Sequence, residues 1–315
     1  MAEVAGYDVP GYVLGKRLGQ GSFGVVYRAR RIADDAECAV KVANPRRGRK
    51  AAIEEEIAVL RAVVRGAPGC VPMFLGAGKV RDQLNRQRVW MATELFDRGD
   101  LYQVMVGRRD QGQPDNTLFS DREVMRVAAT VLTVLMSLPF GFRVHGDIKP
   151  DNILMSANGT FRLTDMGSSA LMGKRAHHYI GTPGYVPPEC LMFADFVLDR
   201  SVDVWMLGAT LYELATGKLM VDMEVRDEFR YLEQLAHVAG PPPAAMLSDP
   251  TRLRWDARQL FVASAVGGQT PDAGTMDRHL SGRHDRVQPF IHKCCMWSPA
   301  ARCGVGELYK LAIDQ

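Results

Sequence analysis

The sequence predicts an α+β fold in two lobes, a small antiparallel sheet with one key helix followed by a larger, mainly helical lobe. Three observations carry that expectation. Residues 12 to 43 alternate as strands do, the pattern beyond Gly99 turns mainly helical, and the change of character falls near residues 94 to 100. The boundaries read as one domain over 1–315, with an N-terminal lobe at about 12–93, a hinge at about 94–100 and a C-terminal lobe at about 101–315.

Along the chain, Tyr12-Val-Leu opens a strand, a glycine-rich stretch spans residues 19 to 24, and Val25-Val26-Tyr27 continues as strand. The glycines therefore sit at a hairpin tip. Cys38-Ala39-Val40-Lys41-Val42 is a further strand. Residues 51 to 64 switch to a helical period, with Ile53, Ile57, Leu60 and Val64 on one face, and strands resume around Val71 to Gly76 and Val89 to Leu95. Ser120-Asp-Arg-Glu123 is a capping box, whose hydroxyl and carboxylate satisfy free N–H groups at the start of a long apolar helix running to about Leu138. Short strands flank residues 142 to 165, and helices dominate from about Ser201. The Pro-rich residues 240 to 243 and the Gly/Thr/Asp-rich residues 267 to 284 read as a surface insertion.

Bulk properties exclude several classes. With 39 Lys+Arg against 36 Asp+Glu the net charge is only +3, which argues against nucleic acid as the main partner. The apolar stretch from Val124 to Leu138 is interrupted by Arg126 and falls short of the roughly 20 residues that span a bilayer. No membrane association is expected. Met-Ala-Glu-Val fits neither a signal peptide nor a myristoylation site, so an intracellular protein, cytoplasmic or nuclear, is expected. Cys38, Cys70, Cys190, Cys294, Cys295 and Cys303 lack paired zinc-ligand spacing and read as free thiols. The basic run Pro45-Arg-Arg-Gly-Arg-Lys50 reads as a solvated loop, with a nuclear signal or phosphate patch as the sharper alternative.

Gly19-Gln-Gly21-Ser-Phe-Gly24 fits GxGxxG, a pattern that serves more than one nucleotide-binding fold. A dinucleotide fold needs a helix at the third glycine, whereas Val25-Val-Tyr-Arg-Ala-Arg continues as a strand. The glycines would then let backbone N–H groups approach the phosphates of ATP, with Val26 packing on the adenine. An ordinary glycine-rich hairpin is the plain reading of this motif alone. Lys41 places an ammonium on an apolar strand, where burial is costly unless it is paired. Glu54 and Glu55 point away, but Glu56, three residues past Ile53 and four before Leu60, shares the apolar face of the next helix. Paired with Glu56, Lys41 would hold the α- and β-phosphates; a solvated glutamate run is the competing reading.

The strongest signal is His145-Gly-Asp147-Ile-Lys149-Pro-Asp-Asn152, with Asp165-Met-Gly167 following eighteen positions after Asp147. Phosphoryl transfer needs a carboxylate to orient the incoming hydroxyl, and oxygen ligands for the magnesium that bridges the phosphates. Asp147 fits the first role, Asn152 and Asp165 the second, and Lys149 can neutralise charge on the moving group.

With these motifs in this order, the chain resembles the eukaryotic protein kinase family from about Tyr12 to Ala312. The resemblance implies a bilobal kinase fold, a hinge at Thr93-Glu94-Leu95-Phe96, and adenine contacts from the backbone of Glu94 and Phe96 with Leu18, Ala39 and Leu154 around the ring. Thr93 would be a small gatekeeper. It further implies that Glu189 of Gly181-Thr-Pro-Gly-Tyr-Val-Pro-Pro-Glu189 pairs with Arg302, and that buried Asp203 accepts backbone N–H groups of the catalytic loop. Lys149 and Thr182 point to serine/threonine specificity. Residues Leu232 to Gly240 with the following prolines resemble the cyclin-dependent and dual-specificity kinase group, while residues 181 to 189 read like other branches.

Three positions depart from the family pattern. Met166 replaces the usual phenylalanine and should still pack on His145, Leu60 and Phe74, and Pro187 stands where alanine is usual. Gly146 stands where most members carry the arginine that anchors a phosphorylated activation loop. Activity is therefore expected not to depend on phosphorylation of that loop, for which Thr182 and Tyr179 are the candidates. Asp100 and Asp151 beside the peptide groove hint at basic residues near the acceptor.

The expected function is transfer of the γ-phosphoryl of ATP, with Mg2+ or alternatively Mn2+, to a serine or threonine hydroxyl of protein substrates. Asp147, Lys149, Lys41 and Glu56 form the expected catalytic group. Leu18, Gly19, Gly21, Gly24, Val26, Ala39, Lys41, Thr93, Glu94, Phe96 and Leu154 are expected at the nucleotide, and Asn152 and Asp165 at the metal. The rival reading is a nucleotide-binding pseudokinase or scaffold, although Lys41, Asp147, Asn152 and Asp165, which such proteins typically lose, are all present. A small-molecule kinase is a third, disfavoured by the peptide-docking look of residues 181 to 189. No regulatory partner is indicated.

Overall fold

Alternation of apolar and polar residues in the first third builds a five-stranded antiparallel sheet in the order β1-β2-β3-β5-β4. The computed structural model describes residues 7–21, 24–44, 49–138, 143–178, 180–222, 227–248, 251–254, 257, 275–280 and 284–314. The strands are β1 (Tyr12–Gln20), β2 (Gly24–Arg31), β3 (Glu37–Ala43), β4 (Phe74–Arg81) and β5 (Gln87–Glu94), with helix α1 (Arg49–Gly66) between β3 and β4. Successive β5 residues face opposite ways. Val89 and Met91 join Ile53 and Ile57 of α1, whereas Trp90 and Ala92 join Tyr12, Tyr27 and Val40 on the other face.

The fourth strand corrects the sequence expectation of Val71 to Gly76, because it starts at Phe74 and runs to Arg81. Pro72 lacks the N–H a ladder needs, which delays the start. Gly76 and Gly78 do not end the strand, because the Trp90 indole lies over both. A Cβ on Gly78 would come within 3.0 Å of the indole carbon Cζ2. The turn to β5 is held by Asp82, whose carboxylate accepts from the N–H groups of Leu84 and Arg86 at 3.0 and 2.8 Å.

The second lobe contains α2 (Leu101–Asp110), α3 (Asp121–Ser137), the short strands β6 (Arg143–Val144), β7 (Ile153–Met155), β8 (Phe161–Leu163), β9 (Ala170–Leu171) and β10 (Arg175–Ala176), and α4 (Pro188–Met192). Strand β11 (Phe196–Val197) leads into α5 (Arg200–Thr216), followed by α6 (Glu228–Ala239), α7 (Ala244–Leu247), α8 (Thr275–Leu280), α9 (Gln288–Cys294) and α10 (Val305–Ile313). Every residue of α5 from Val202 to Thr216 is buried, so this mainly apolar helix is the centre of the lobe. Helix α3 packs on α5 and α10, and its capping box forms as read, with Ser120 Oγ accepting from Glu123 N–H and the glutamate accepting from Ser120 N–H at 2.8 Å.

Arg302 donates through both Nη atoms to the Glu189 carboxylate at 2.6 and 2.5 Å, a bidentate pair buried behind α4. The expected surface insertion is corrected in part. Within 267–284, Met276 and Leu280 are buried because α8 turns an apolar edge inward, and His284 is buried after it; residues 267–274 and 281–283 lie outside the described residues. Of the basic run, residues 45–48 lie outside them, and 49–50 open α1. All six cysteines are free thiols. Among the described residues no helix is long and apolar enough to cross a membrane.

Candidate active site

Between the lobes lies a cleft of about 750 Å³, and every residue the sequence singled out for nucleotide, metal or chemistry lines it. Its roof is the β1–β2 hairpin with Leu18, Gly19, Gly21, Gly24 and Val26; Ser22 and Phe23 at the tip lie outside the described residues. Glycine at 24 is required by close approach, since a Cβ there would sit 2.5 Å from the Val42 carbonyl oxygen. Ala39 and Lys41 follow on β3, opposite Thr93 and Met91 of β5. Met91 is a lining residue that the strand pattern did not single out, because it read only as core.

The ammonium of Lys41 is 2.9 Å from both oxygens of Glu56 and 2.9 Å from Asp165. Helical period explains the choice of glutamate: Glu56 is 1% exposed, while Glu54 and Glu55 face solvent. Burial pulls the Lys41 ammonium toward neutrality, but the carboxylates of Glu56 and Asp165 outweigh it and hold the charge. Burial likewise opposes ionisation of Asp165, yet Lys41 keeps that carboxyl below its usual range. Asp165 has φ +60°, a left-handed backbone that a non-glycine residue adopts only where its surroundings hold it. The pair thus ties strand β3, helix α1 and the Asp165 loop into one unit.

Below them runs the loop from His145 to Asn152. Asp203, wholly buried at the start of α5, accepts the N–H groups of His145 and Gly146, each at 2.8 Å, and so fixes the loop on the lobe's central helix. His145 spans to the Thr164 carbonyl through Nε2 at 3.1 Å, while its Nδ1 faces the Asp147 N–H at 3.3 Å. That pattern requires the neutral Nε2–H tautomer. Met166 is buried in the same cluster as Leu60, with Phe74 packed against it.

Around Asp147 the hydrogen bonds close a ring. Thr182 Oγ1 donates to Asp147 Oδ1 at 2.7 Å, Lys149 Nζ donates to Thr182 Oγ1 at 2.5 Å, and Lys149 lies 3.0 Å from Asp147 Oδ2. Thr182, a phosphorylation candidate in the sequence, instead spends its hydroxyl inside the site. Asn152 donates its amide to the Asp147 carbonyl at 2.7 Å and carboxylate at 3.0 Å, which leaves its own carbonyl oxygen as the acceptor end. That oxygen and the Asp165 carboxylate are hard donors, a set that fits a small divalent cation completed by phosphate oxygens and water. Among the described residues no cluster of three or more His, Cys, Asp or Glu could hold a metal alone.

The hinge is braced from both sides. Glu94 N–H donates to the Met73 carbonyl at 3.0 Å, its carboxylate accepts from Met73 N–H at 3.1 Å, and Arg162 stands 3.5 Å from the same carboxylate and over the Phe96 ring. Tyr185 and Glu213, both buried, form a further pair at 2.5 Å that the sequence reading missed. They lie in an apolar segment and an apolar helix, where periodicity predicts only packing.

A cleft roofed by a glycine hairpin and floored by carboxylates defines a class, the two-lobed proteins that bind a polyphosphate between a sheet and a helical lobe. Residues 12–312 match the family described as the protein kinase domain, and the chain belongs to that family. It is 30% identical to the serine/threonine-protein kinase Aurora-2 of Arabidopsis thaliana over 76% of this chain and 79% of that protein. It is 28% identical to dual specificity tyrosine-phosphorylation-regulated kinase 3 of Homo sapiens over 92% of this chain and 51% of that protein. Myosin-IIIa of Mus musculus matches at 28% over 64% of this chain, which covers only 12% of the myosin. The chain thus spans about three quarters of the Aurora relatives but about half or less of the others.

Proposed function

We propose that the chain transfers the γ-phosphoryl group of Mg-ATP to serine or threonine hydroxyls of protein substrates, and does so without phosphate on its activation segment. The observation that carries the proposal is the Lys41 ammonium held at 2.9 Å by both Glu56 and Asp165, the closed arrangement that phosphoryl transfer needs.

The residues divide the work. Backbone N–H groups of the Gly19–Gly24 hairpin and the charge of Lys41 hold the phosphates. Leu18, Val26, Ala39 and Leu154 enclose the adenine beside Thr93. The Glu94 carbonyl and the Phe96 N–H take its edge, since Glu94 N–H is spent on Met73 and the Phe96 carbonyl on Gly99. Magnesium, which Asn152 and Asp165 would hold and which manganese could replace, offsets the phosphate charge. Asp147 orients the acceptor hydroxyl and receives its proton as oxygen bonds to phosphorus and ADP departs. Lys149 balances charge on the moving group, and Thr182 fixes both Asp147 and Lys149.

Independence from phosphorylation rests on Gly146. Its φ is +79°, and a Cβ would meet the Ser168 carbonyl oxygen at 3.1 Å, so no cationic anchor stands there. Acidic Asp100 and Asp151 at the cleft rim favour substrates with basic residues near the acceptor.

A transfer assay with γ-labelled ATP, divalent metal and a generic basic protein tests the proposal, with Asp165→Ala as the control. Label should pass to the protein and vanish in the variant. Tight ATP binding without transfer by the unaltered chain would instead mark a nucleotide-binding scaffold.

A further inference from the structure

The activation segment, between Asp165 and Glu189, is tied down far from the cleft by backbone pairing. Strand β10 pairs with β11, joining Arg175 to Val197 and Ala176 to Phe196. Gly173 N–H and the Lys174 carbonyl extend that pairing to Leu198 at 2.8 and 3.0 Å. The chain after α4 is then stitched to the segment after α7. Ala194 N–H donates to the Arg252 carbonyl at 3.0 Å, and Arg254 N–H to the Met192 carbonyl at 2.7 Å, around a bridge from Phe193 to Leu253.

Arg254 stands where these pieces meet. Its Nη2 donates to the His177 carbonyl at 2.6 Å, its Nε to the Phe193 carbonyl at 2.9 Å, and its Nη1 lies 3.2 Å from the Glu228 carboxylate in the first turn of α6. A planar guanidinium serves three such acceptors at once, whereas an ammonium is a point charge without the fork. One acceptor is the activation segment itself, and it is a neutral carbonyl that requires no modification to bind a cation.

We propose that Arg254 is the positioning residue that holds the activation segment ready for substrate without phosphate. The proposal rests on the phosphate-independent reading above and supplies its physical means. Arg254 does not line the cleft. It acts through His177, five residues before Thr182, whose hydroxyl is bonded to Asp147. Loss of the clamp should therefore loosen the peptide-docking side of the cleft and leave the ATP side, built on Lys41 and the hinge, unchanged.

The test uses the full chain after phosphatase treatment, comparing Arg254→Ala, Arg254→Lys and Glu228→Gln. Arg254→Ala should raise the peptide KM about tenfold or more, since small misplacements in a transfer site are costly, and leave the ATP KM unchanged. Amide hydrogen exchange at residues 174–178 should speed up while α5 stays protected. Arg254→Lys should recover only part of the effect, and Glu228→Gln should shift the same two readouts in the same direction by less. If Arg254→Ala does not fold, the two milder variants carry the test. Wild-type peptide KM and exchange in all folded variants would overturn the clamp, as would a uniform rise in exchange with equal changes in both KM values. Inactivity of the phosphatase-treated wild-type chain would instead overturn the phosphate-independent reading, so the two failures are distinguishable.

Discussion

Lys41 is charged, buried and shared by two carboxylates, and replacing it removes the link between the lobes as well as a phosphate contact. Lys41→Met should lower kcat by about 10²–10³, the scale seen when one preorganised electrostatic group is removed, as read from initial rates at saturating ATP. The buried pair Glu189–Arg302 has no pattern of its own and was legible only through family resemblance. Glu189→Gln should destabilise the fold by about 3–5 kcal/mol, measured by urea unfolding, because it strands the guanidinium without a counter-charge. Glu213 makes a pH prediction. Burial raises its carboxyl to about 7, against the pull of the Tyr185 hydrogen bond, so the folded chain binds more protons than the unfolded one between about pH 4.5 and 7. Its contribution to stability is complete below that window and is lost as pH rises through it. Glu213→Gln should flatten the fall in urea midpoint across the window, and an unaltered slope would contradict the assignment. Glu56 was readable because a helix forces every third or fourth residue onto one face, whereas Tyr185 and Glu213 meet across segments that carry no polar period.

At the scale of elements, what sequence made plain was whatever obeys a period or a cap. The capping box of α3 and the buried, mainly apolar α5 follow from side-chain spacing alone, and the glycine hairpin from strand residues on both sides of it. The end of β4 was placed too early because its glycines look like strand breakers until Trp90 is seen lying across them. The stretch 267 to 284 was taken as surface because its Gly/Thr/Asp-rich composition outweighs the single i, i+4 pair, Met276 and Leu280, that turns inward. Two element predictions follow from these contacts. Ser120→Ala should cost about 1 kcal/mol of stability by leaving the first turn of α3 short of its cap, seen as a lower unfolding midpoint. Gly146→Ala should cost about 1–2 kcal/mol, since φ +79° is left-handed backbone and the new Cβ presses on the Ser168 carbonyl.

For the whole molecule, the chain draws its cleft from both lobes, so ATP should bind only the folded, assembled pair. At about 100 times its Kd, Mg-ATP should add about 2.7 kcal/mol of stability, visible as a raised melting temperature. The same assembly explains how Asp165, distant in sequence from β3, reaches Lys41, and how Thr182 reaches Asp147. The central claim is tested most directly by incubating phosphatase-treated chain with Mg-ATP and a peptide library offering serine, threonine and tyrosine acceptors. The account predicts prompt phosphorylation at serine and threonine. Transfer only to tyrosine, or none until the activation segment is phosphorylated again, would contradict it.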